Sequence, residues 1–177
     1  GLTQEFARQT AEAIQWYRRV VTDFPQATQA AKATGAASRL ECVGKSLPLS
    51  GRTLDGKDFD LAEQKGKVVV IHCWASWCDL CKQDIELLQK AQIKYARKQL
   101  TFLGINLDQQ SATARASKTS LRLNWPQLHD SGLKSDLANQ LGILTLPTMF
   151  LIDADGKVVR QSIHISELDS ELSKLLR

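Results

Sequence analysis

The amino-acid sequence predicts a mixed α/β sandwich, in which helices cover a β-sheet. A continuous apolar run at 68–71 has the composition of a strand that is covered on both faces. Helical spacing follows at 79–99, and a second apolar strand follows at 100–108. The chain then closes with two strands around Asp155-Gly156 and a final helix. Strands that alternate with helices in this way are typical of a mixed α/β fold.

Composition and charge restrict the class of protein. The chain has 177 residues, of which 43% are hydrophobic and 24% are charged, as in ordinary globular proteins. This length suits one core of about 130 residues with an appendage. The net charge is +4, but the basic residues are scattered and do not alternate with aromatic ones, so we predict no nucleic-acid binding. The longest apolar run has strand length, well below the ~18 residues of a membrane-spanning helix.

The first 41 residues differ in character from the rest. Apolar residues recur there at helical spacing, Pro25 interrupts the run, and an alanine-rich stretch follows. We predict a helical hairpin, similar to the helices of tetratricopeptide-like repeats. One such pair cannot bury its apolar face alone, so it either packs on the following domain or ends a longer array. We therefore divide the chain into a helical extension, 1–41, and an α/β domain, 42–177.

The α/β domain is predicted to begin with a β-hairpin. Apolar positions alternate around Asp55-Gly56, a turn signal, within 42–66. The apolar side of this hairpin would consist of Leu47, Leu49, Leu54, Phe59 and Leu61. The later elements are a helix at 111–122, an extended piece at 125–129, a helix at 133–141, strands at 148–152 and 157–163, and a last helix capped by Ser166 that reaches Leu176.

Cys78 and Cys81 form a CxxC pair at the point where the first buried strand gives way to a helix. The N–H groups and the dipole at a helix N-terminus favour a thiolate. Residues three apart on a helix have Cβ atoms about 5–6 Å apart. A disulfide needs about 3.5–4.5 Å, which a slightly adjusted first turn supplies. The spacing therefore favours a reversible disulfide.

Other roles for the four cysteines are less favoured. Four are too few for a disulfide-built scaffold. Zinc needs about four ligands, and the sequence has no second paired spacing, so we predict no metal site. A purely structural Cys78–Cys81 bridge would close too short a loop to constrain the chain. Cys73 is predicted to be a small buried hydrophobic residue, and a bridge between Cys42 and Cys73 stays an open alternative.

Several stretches carry a family resemblance. "KVVVIHCWASWCDLCKQDIELL" resembles the active-site strand, turn and helix of thioredoxin-fold proteins, and "LGILTLPTMFLIDADGKVV" resembles their later strand and hairpin. With "VGKSLPLSGRTLDGKDFDL" and the insertion that ends in "NWPQLHD", the chain is similar to the TlpA/ResA-like branch of extracytoplasmic thiol–disulfide oxidoreductases. The resemblance covers about residues 42–176. It implies a thioredoxin-like three-layer sandwich with an N-terminal β-hairpin, to which the helical hairpin is added.

The resemblance also implies roles for individual residues. Cys78 would be the exposed attacking thiol, and Cys81 the buried thiol that resolves the mixed disulfide. Trp77 would border the site, or alternatively pack in the core. Pro147, after Leu146, would be a cis-proline that faces the two cysteines and helps to bind an extended substrate.

Three positions depart from the common pattern. Asp79-Leu80 stands between the cysteines, and a carboxylate beside Cys78 should disfavour its thiolate and make the protein more reducing. His72 stands where thioredoxins carry a buried Asp. It would either help to deprotonate Cys81 or, as we favour, be a hydrogen-bonded core histidine. Asp84 matches an acidic position of ResA-like proteins, or is a solvated helix residue.

The predicted function is an enzymatic exchange of the Cys78–Cys81 dithiol with protein disulfides, as a reductant outside the cytoplasm. It implies protein substrates and an upstream thiol electron donor, with no cofactor besides the cysteine pair. A peroxiredoxin-like peroxidase would want Thr or Ser where Ala75 stands. A non-catalytic module that binds proteins through 1–41 is the other alternative. The chain shows no signal peptide, and we expect it to be part of a longer precursor. Any membrane tether would then lie outside it.

Overall fold

Strand β3 (Val68–Trp74) lies at the centre of the five-stranded sheet that the computed structural model gives for residues 1–176, the part of the chain it describes. All seven residues of β3 are buried. The strand order is β5-β4-β3-β6-β7, in which β3 runs parallel to β4 and antiparallel to β6. The other strands are β4 (Leu100–Asn106), β5 (Gln127–His129), β6 (Thr148–Ile152) and β7 (Val158–Arg160).

Layers on both faces of the sheet complete the sandwich. Alternate residues of β3 enter two separate apolar clusters, because successive side chains of a strand point to opposite faces. On one face lie α4 (Asp79–Lys94) and α7 (Ile165–Leu175). On the other lie α6 (Asp136–Gln140) and a β-hairpin. Helix α5 (Ser111–Ser120) follows β4. The predicted thioredoxin-like three-layer fold is confirmed.

The predicted N-terminal hairpin of this sandwich is present. Strands β1 (Ser50–Arg52) and β2 (Asp58–Asp60) pair antiparallel around the Asp55-Gly56 turn. Gly56 has φ +76°, a conformation that a residue with a side chain rarely adopts. A 3₁₀ turn, Leu61–Gln64, then leads toward β3.

Several elements are shorter than predicted, and the predicted cap of the last helix is wrong. Helix α4 ends at Lys94 and α6 spans 136–140 only. Strand β7 ends at Arg160, because the chain then turns and Ile163 donates its N–H to Met149, 3.0 Å away. Helix α7 begins two residues earlier than predicted, since the side chain of His164, and not of Ser166, accepts the hydrogen bond that caps it.

The N-terminal extension consists of three helices, α1 (Leu2–Phe6), α2 (Thr10–Asp23) and α3 (Thr28–Leu40). Small residues let α2 and α3 approach each other, as the predicted hairpin requires. Helix α3 also packs on α6, so closely that a Cβ on Gly35 would collide with the carbonyl oxygen of Asn139. The helical pair therefore packs directly on the α/β part of the chain. The division of the chain into two domains stays a prediction.

Buried Arg39 joins the extension to the rest of the molecule. Its guanidinium donates to the carbonyl oxygen of Gly142 (2.9 Å), to Oγ of Ser162 (2.7 Å) and to Oε2 of Glu5 (2.6 Å). Tyr17 donates its hydroxyl to the other carboxylate oxygen of Glu5. Burial and this bond raise the pKa of Tyr17. One side chain thus connects α1 and α3 to the loops before β6 and after β7.

Replacing Arg39 by Ala tests this connection. The variant leaves the carboxylate of Glu5 without its buried partner, and losing one member of a buried pair costs about 3–5 kcal/mol. We expect the free energy of unfolding, measured by chemical denaturation, to fall by that amount. Arg18→Ala is the matched control, because its bond to Glu41 is solvent-exposed and worth about 0–1 kcal/mol. Equal losses in the two variants would contradict the assignment.

Candidate active site

The two cysteines of the CxxC pair lie at the junction of β3 and α4 and form a disulfide. Cys78 is the residue that caps α4, with extended backbone angles (φ −93°, ψ 102°), and α4 itself begins at Asp79. The Sγ atom of Cys78 accepts a hydrogen bond from the N–H of Cys81 at 3.2 Å. Because Cys78 stands outside the helix, its Cα lies 5.2 Å from that of Cys81 and the bond can close. This is the adjusted first turn that the spacing predicts.

The two sulfurs differ in their access to solvent. Cys78 is only 7% exposed, so the predicted exposed thiol is largely covered in the disulfide form, and Cys81 is fully buried. Trp77 is 58% exposed and Leu80 is also exposed, so the alternative in which Trp77 packs in the core is wrong. The disulfide therefore lies under an apolar rim, and an incoming sulfur reaches Cys78 before Cys81.

Asp108 fixes the turn that carries the disulfide, a role that the sequence analysis missed. Its buried carboxylate accepts hydrogen bonds from the N–H (3.0 Å) and the hydroxyl (2.8 Å) of Ser76. The side-chain amide of Asn106 donates to the same carboxylate at 2.8 Å. A signal for this network was present, because polar residues directly follow the buried strand β4. The carboxyl ends of parallel strands meet at one edge of a sheet, where sites of α/β proteins lie.

Pro147 lies at this same edge of the sheet. The Leu146–Pro147 peptide bond is cis. Strand pairing sets Thr148 opposite Cys73, so Pro147 stands beside Trp74, where β3 ends and the active-site turn begins. Leu146 is partly buried against the apolar clusters on both faces of the sheet.

His72 and Asp84 form a buried pair beneath the disulfide. The Nε2 atom of His72 lies 3.8 Å from a carboxylate oxygen of Asp84, and both residues are buried. The neighbours of His72 two positions away on β3 belong to the cluster that contains Cys81, so His72 points to that face. Within residues 1–176, Nε2 has no hydrogen-bond partner. The prediction that His72 is a hydrogen-bonded core residue is therefore wrong for its Nε2 atom. The alternative in which Asp84 is a solvated helix residue is also wrong, because Asp84 is buried.

Asp79 is exposed to solvent, whereas Asp84 is buried. The side chain of Asp79 is 85% exposed and accepts a hydrogen bond from Nζ of Lys82 at 2.8 Å. This bond and the positive charge of Lys82 lower the pKa of Asp79. A charge that is in water and paired acts only weakly on a neighbouring thiol.

The two other cysteines are thiols. Cys42 and Cys73 are buried and unbonded in the described part of the chain, so the alternative bridge between them is not formed. Burial raises the pKa of Cys73 to about 12 and also raises that of Cys42. Both stay protonated at neutral pH and are poor nucleophiles.

Among residues 1–176, no cluster of three or more His, Cys, Asp or Glu side chains is arranged to hold a metal ion. None of the helices in this range combines the length and the hydropathy that a membrane span requires.

Comparisons with known proteins match this geometry. The model of the AhpC/TSA family matches residues 43–161. The thiol-disulfide oxidoreductase ResA of Bacillus thuringiensis (strain Al Hakam) is 33% identical over 122 residues, which are 68% of this chain and 69% of that protein. The thioredoxin-like protein YneN of Bacillus subtilis (strain 168) is 30% identical over 130 residues, 71% of this chain and 72% of YneN.

A solved structure of a thiol-disulfide oxidoreductase is also similar to this chain. The thiol-disulfide oxidoreductase from Bacteroides fragilis superimposes with a TM-score of 0.68 and 31% identity. The superposition covers 75% of this chain and all of that one. The helical extension precedes the first residue of the family match.

The role of Asp108 leads to a prediction. Asp108→Asn keeps the side-chain volume but replaces one of the two carboxylate oxygens by an N–H donor. That group cannot accept the hydrogen bond that Ser76 or Asn106 donates. Charged hydrogen bonds contribute about 1.5–3 kcal/mol, so we expect unfolding to become easier by that amount. We also expect slower exchange of Cys78 with a small disulfide, measured by stopped-flow. Asp58→Asn, at an exposed position of β2, is the control; an Asp108 variant as stable and as fast as this control would exclude the role.

Proposed function

The chain belongs to the AhpC/TSA family and is a ResA-like thiol–disulfide oxidoreductase with a thioredoxin fold, and from this premise we propose that it reduces protein disulfides outside the cytoplasm. The observation that carries the proposal is the asymmetric disulfide. Cys78 caps α4 and keeps 7% exposure, whereas Cys81 is fully buried one turn later. Such a pair suits attack by one sulfur and resolution by the other.

The proposed reaction starts from the dithiol form. The Cys78 thiolate attacks one sulfur of the substrate disulfide, the substrate S–S bond breaks, and a substrate thiolate leaves. Cys81 then loses its proton and attacks Sγ of Cys78, which releases the second substrate thiolate. Two electrons pass to the substrate, whose thiolates take up two protons, and the Cys78–Cys81 disulfide is formed. An upstream thiol donor must return two electrons before the next cycle.

The proposed direction of electron flow is supported by the buried carboxylate of Asp84. Asp84 lies on α4 three residues after Cys81, and side chains at this spacing are neighbours on a helix. A buried negative charge disfavours a thiolate nearby. An ionised Asp84 therefore favours the uncharged disulfide over the thiolates of the reduced form, and the reduced protein donates electrons more readily. Exposed Asp79, paired with Lys82, contributes much less to this effect.

His72 is proposed to assist Cys81. Its Nε2 atom lies 3.8 Å from the carboxylate of Asp84, on the face of β3 that Cys81 also contacts. An imidazole there can hold the proton that Cys81 gives up before it attacks the mixed disulfide. Asp84 then stabilises the imidazolium that is formed.

The location and the partners are inferred from the resemblance to the extracytoplasmic TlpA/ResA-like branch. The proposed substrates are protein disulfides, because the rim of Trp77 and Leu80 offers apolar surface to a polypeptide. Pro147 and Leu146, beside the disulfide, are proposed to bind the extended chain of the substrate.

Cysteine variants test the function. Cys78→Ser should reduce the rate of insulin reduction by dithiothreitol, followed by turbidity, to the uncatalysed rate, because the protein has no attacking sulfur. Cys81→Ser should stop turnover and accumulate a mixed disulfide on Cys78, detected by mass spectrometry. Cys42→Ala is the control and should keep full activity. Consumption of peroxide that depends on Cys78 alone, with no reduction of insulin, would instead indicate a peroxidase.

Reduction potentials test the direction of electron flow. Removing the buried charge in Asp84→Asn should make the protein less reducing, and we expect a positive shift of about 20–40 mV, a roughly 5- to 20-fold change in the exchange equilibrium. The potential is measured by equilibration with glutathione redox buffers.

Two further variants serve as controls for this measurement. Asp79→Asn, which removes an exposed and paired charge, should shift the potential much less. His72→Asn keeps the carboxylate of Asp84 and should also shift the potential less than Asp84→Asn, but it should slow the attack of Cys81 on the mixed disulfide, because the imidazole that takes the proton is lost. A larger shift in Asp79→Asn than in Asp84→Asn would contradict the assignment, and no change in either would remove both carboxylates from the control of the potential.

A further inference from the structure

Helix α1 borders a cleft that opens beside Pro147. The cleft has a volume of about 330 Å³. Its walls are α1, the loop before β6 and the loop between β7 and α7, and they include Leu2, Phe6, Thr145, Pro147, Ser162 and His164. A segment that precedes the family match therefore stands next to the loop that borders the disulfide.

The cleft continues into a second one along α1. The second cleft has a volume of about 610 Å³ and is also lined by Glu5, Arg8, Ser162 and His164. Together the two form a single depression, which we call the α1 groove. It runs from Pro147 along the helix, so it is too long for a small disulfide and suits several residues of a polypeptide.

The position of α1 in this groove is fixed by polar contacts. Glu5 bonds Arg39, which also bonds Ser162 on the opposite wall of the groove. Arg8 lies 3.8 Å from Glu167 on α7. The helix is thus held against the loop between β7 and α7 and against the first turn of α7.

The apolar side chains of α1 nevertheless remain uncovered. Phe6 is 73% exposed and Leu2 is also exposed. Both line the part of the groove next to Pro147. Apolar surface that is held rigidly in a concave site is typical of ligand recognition.

We propose that the α1 groove binds the polypeptide segment that flanks the reactive disulfide of the substrate, with apolar side chains of the substrate against Phe6 and Leu2. The inference rests on the proposed function. The sulfur that Cys78 attacks lies near the end of β3, where Pro147 stands beside Trp74, and the groove begins at Pro147. A chain that leaves this point along the groove meets Phe6 and Leu2 first. The helical extension then determines which protein disulfides are accepted.

Peptide selectivity tests the groove. In the Cys81→Ser background, Cys78 attacks eight-residue peptides whose single cysteine is activated as a mixed disulfide with thionitrobenzoate. The peptide–thionitrobenzoate bond breaks, the Cys78–peptide bond forms, and the thionitrobenzoate that leaves is followed by absorbance. One peptide carries Leu on both sides of the cysteine and the other carries Ser. We expect the Leu peptide to react about 3- to 10-fold faster, since it buries apolar surface.

Phe6→Ala should abolish most of this preference and leave the reaction with 5,5′-dithiobis(2-nitrobenzoate), which does not reach the groove, unchanged. Phe24→Ala is the matched control, because Phe24 is 63% exposed on the same extension but away from the groove.

A preference that survives equally in both variants would overturn the inference. The inference would also be overturned if the parent chain formed a dimer and the Phe6→Ala substitution dissociated it, because a second copy would then cover the groove. Insulin turnover of the parent reports separately on the proposed function.

Discussion

The burial of strand β3 on both faces is the constraint on which the site depends. A strand with no exposed residue can present reactive groups only where it ends, and the chain leaves β3 at Trp74 through a turn of three residues before Cys78. The same edge receives the end of β4, with Asp108, and the start of β6, with Pro147. Sheet pairing therefore brings together groups that are distant in sequence, and the hydrogen bonds from Ser76 to Asp108 hold the turn in place.

Burial separates the two acidic residues near the disulfide. Asp79 is adjacent to Cys78 in the chain, but its carboxylate is in water and bonded to Lys82. Asp84 is farther along α4, but it is buried and lies beside His72. Because water and Lys82 screen the first carboxylate more strongly than the second, we expect the residue nearer in sequence to have the weaker influence on the redox pair.

The helical extension and the redox site are parts of one structure. Arg39 carries a charge into the interface between them, and each of its bonds reaches a different segment. The extension is thereby held in a defined position beside the loops that border the disulfide. A helical pair that cannot bury its own apolar face gains both packing and position from this arrangement.

The fold class, the Asp55-Gly56 hairpin, the central strand and the CxxC pair at the start of a helix can all be predicted from the sequence. These follow from local patterns, such as the period of apolar residues and the spacing of cysteines, which each segment carries alone. That Trp77 is exposed and Asp84 buried is evident only in the folded chain. The tertiary structure also decides which segments Arg39 and Asp108 hold together, because the partner of a polar side chain depends on which distant residues the folded chain brings within hydrogen-bond distance. Gly142, for example, is 103 residues from Arg39 in the sequence.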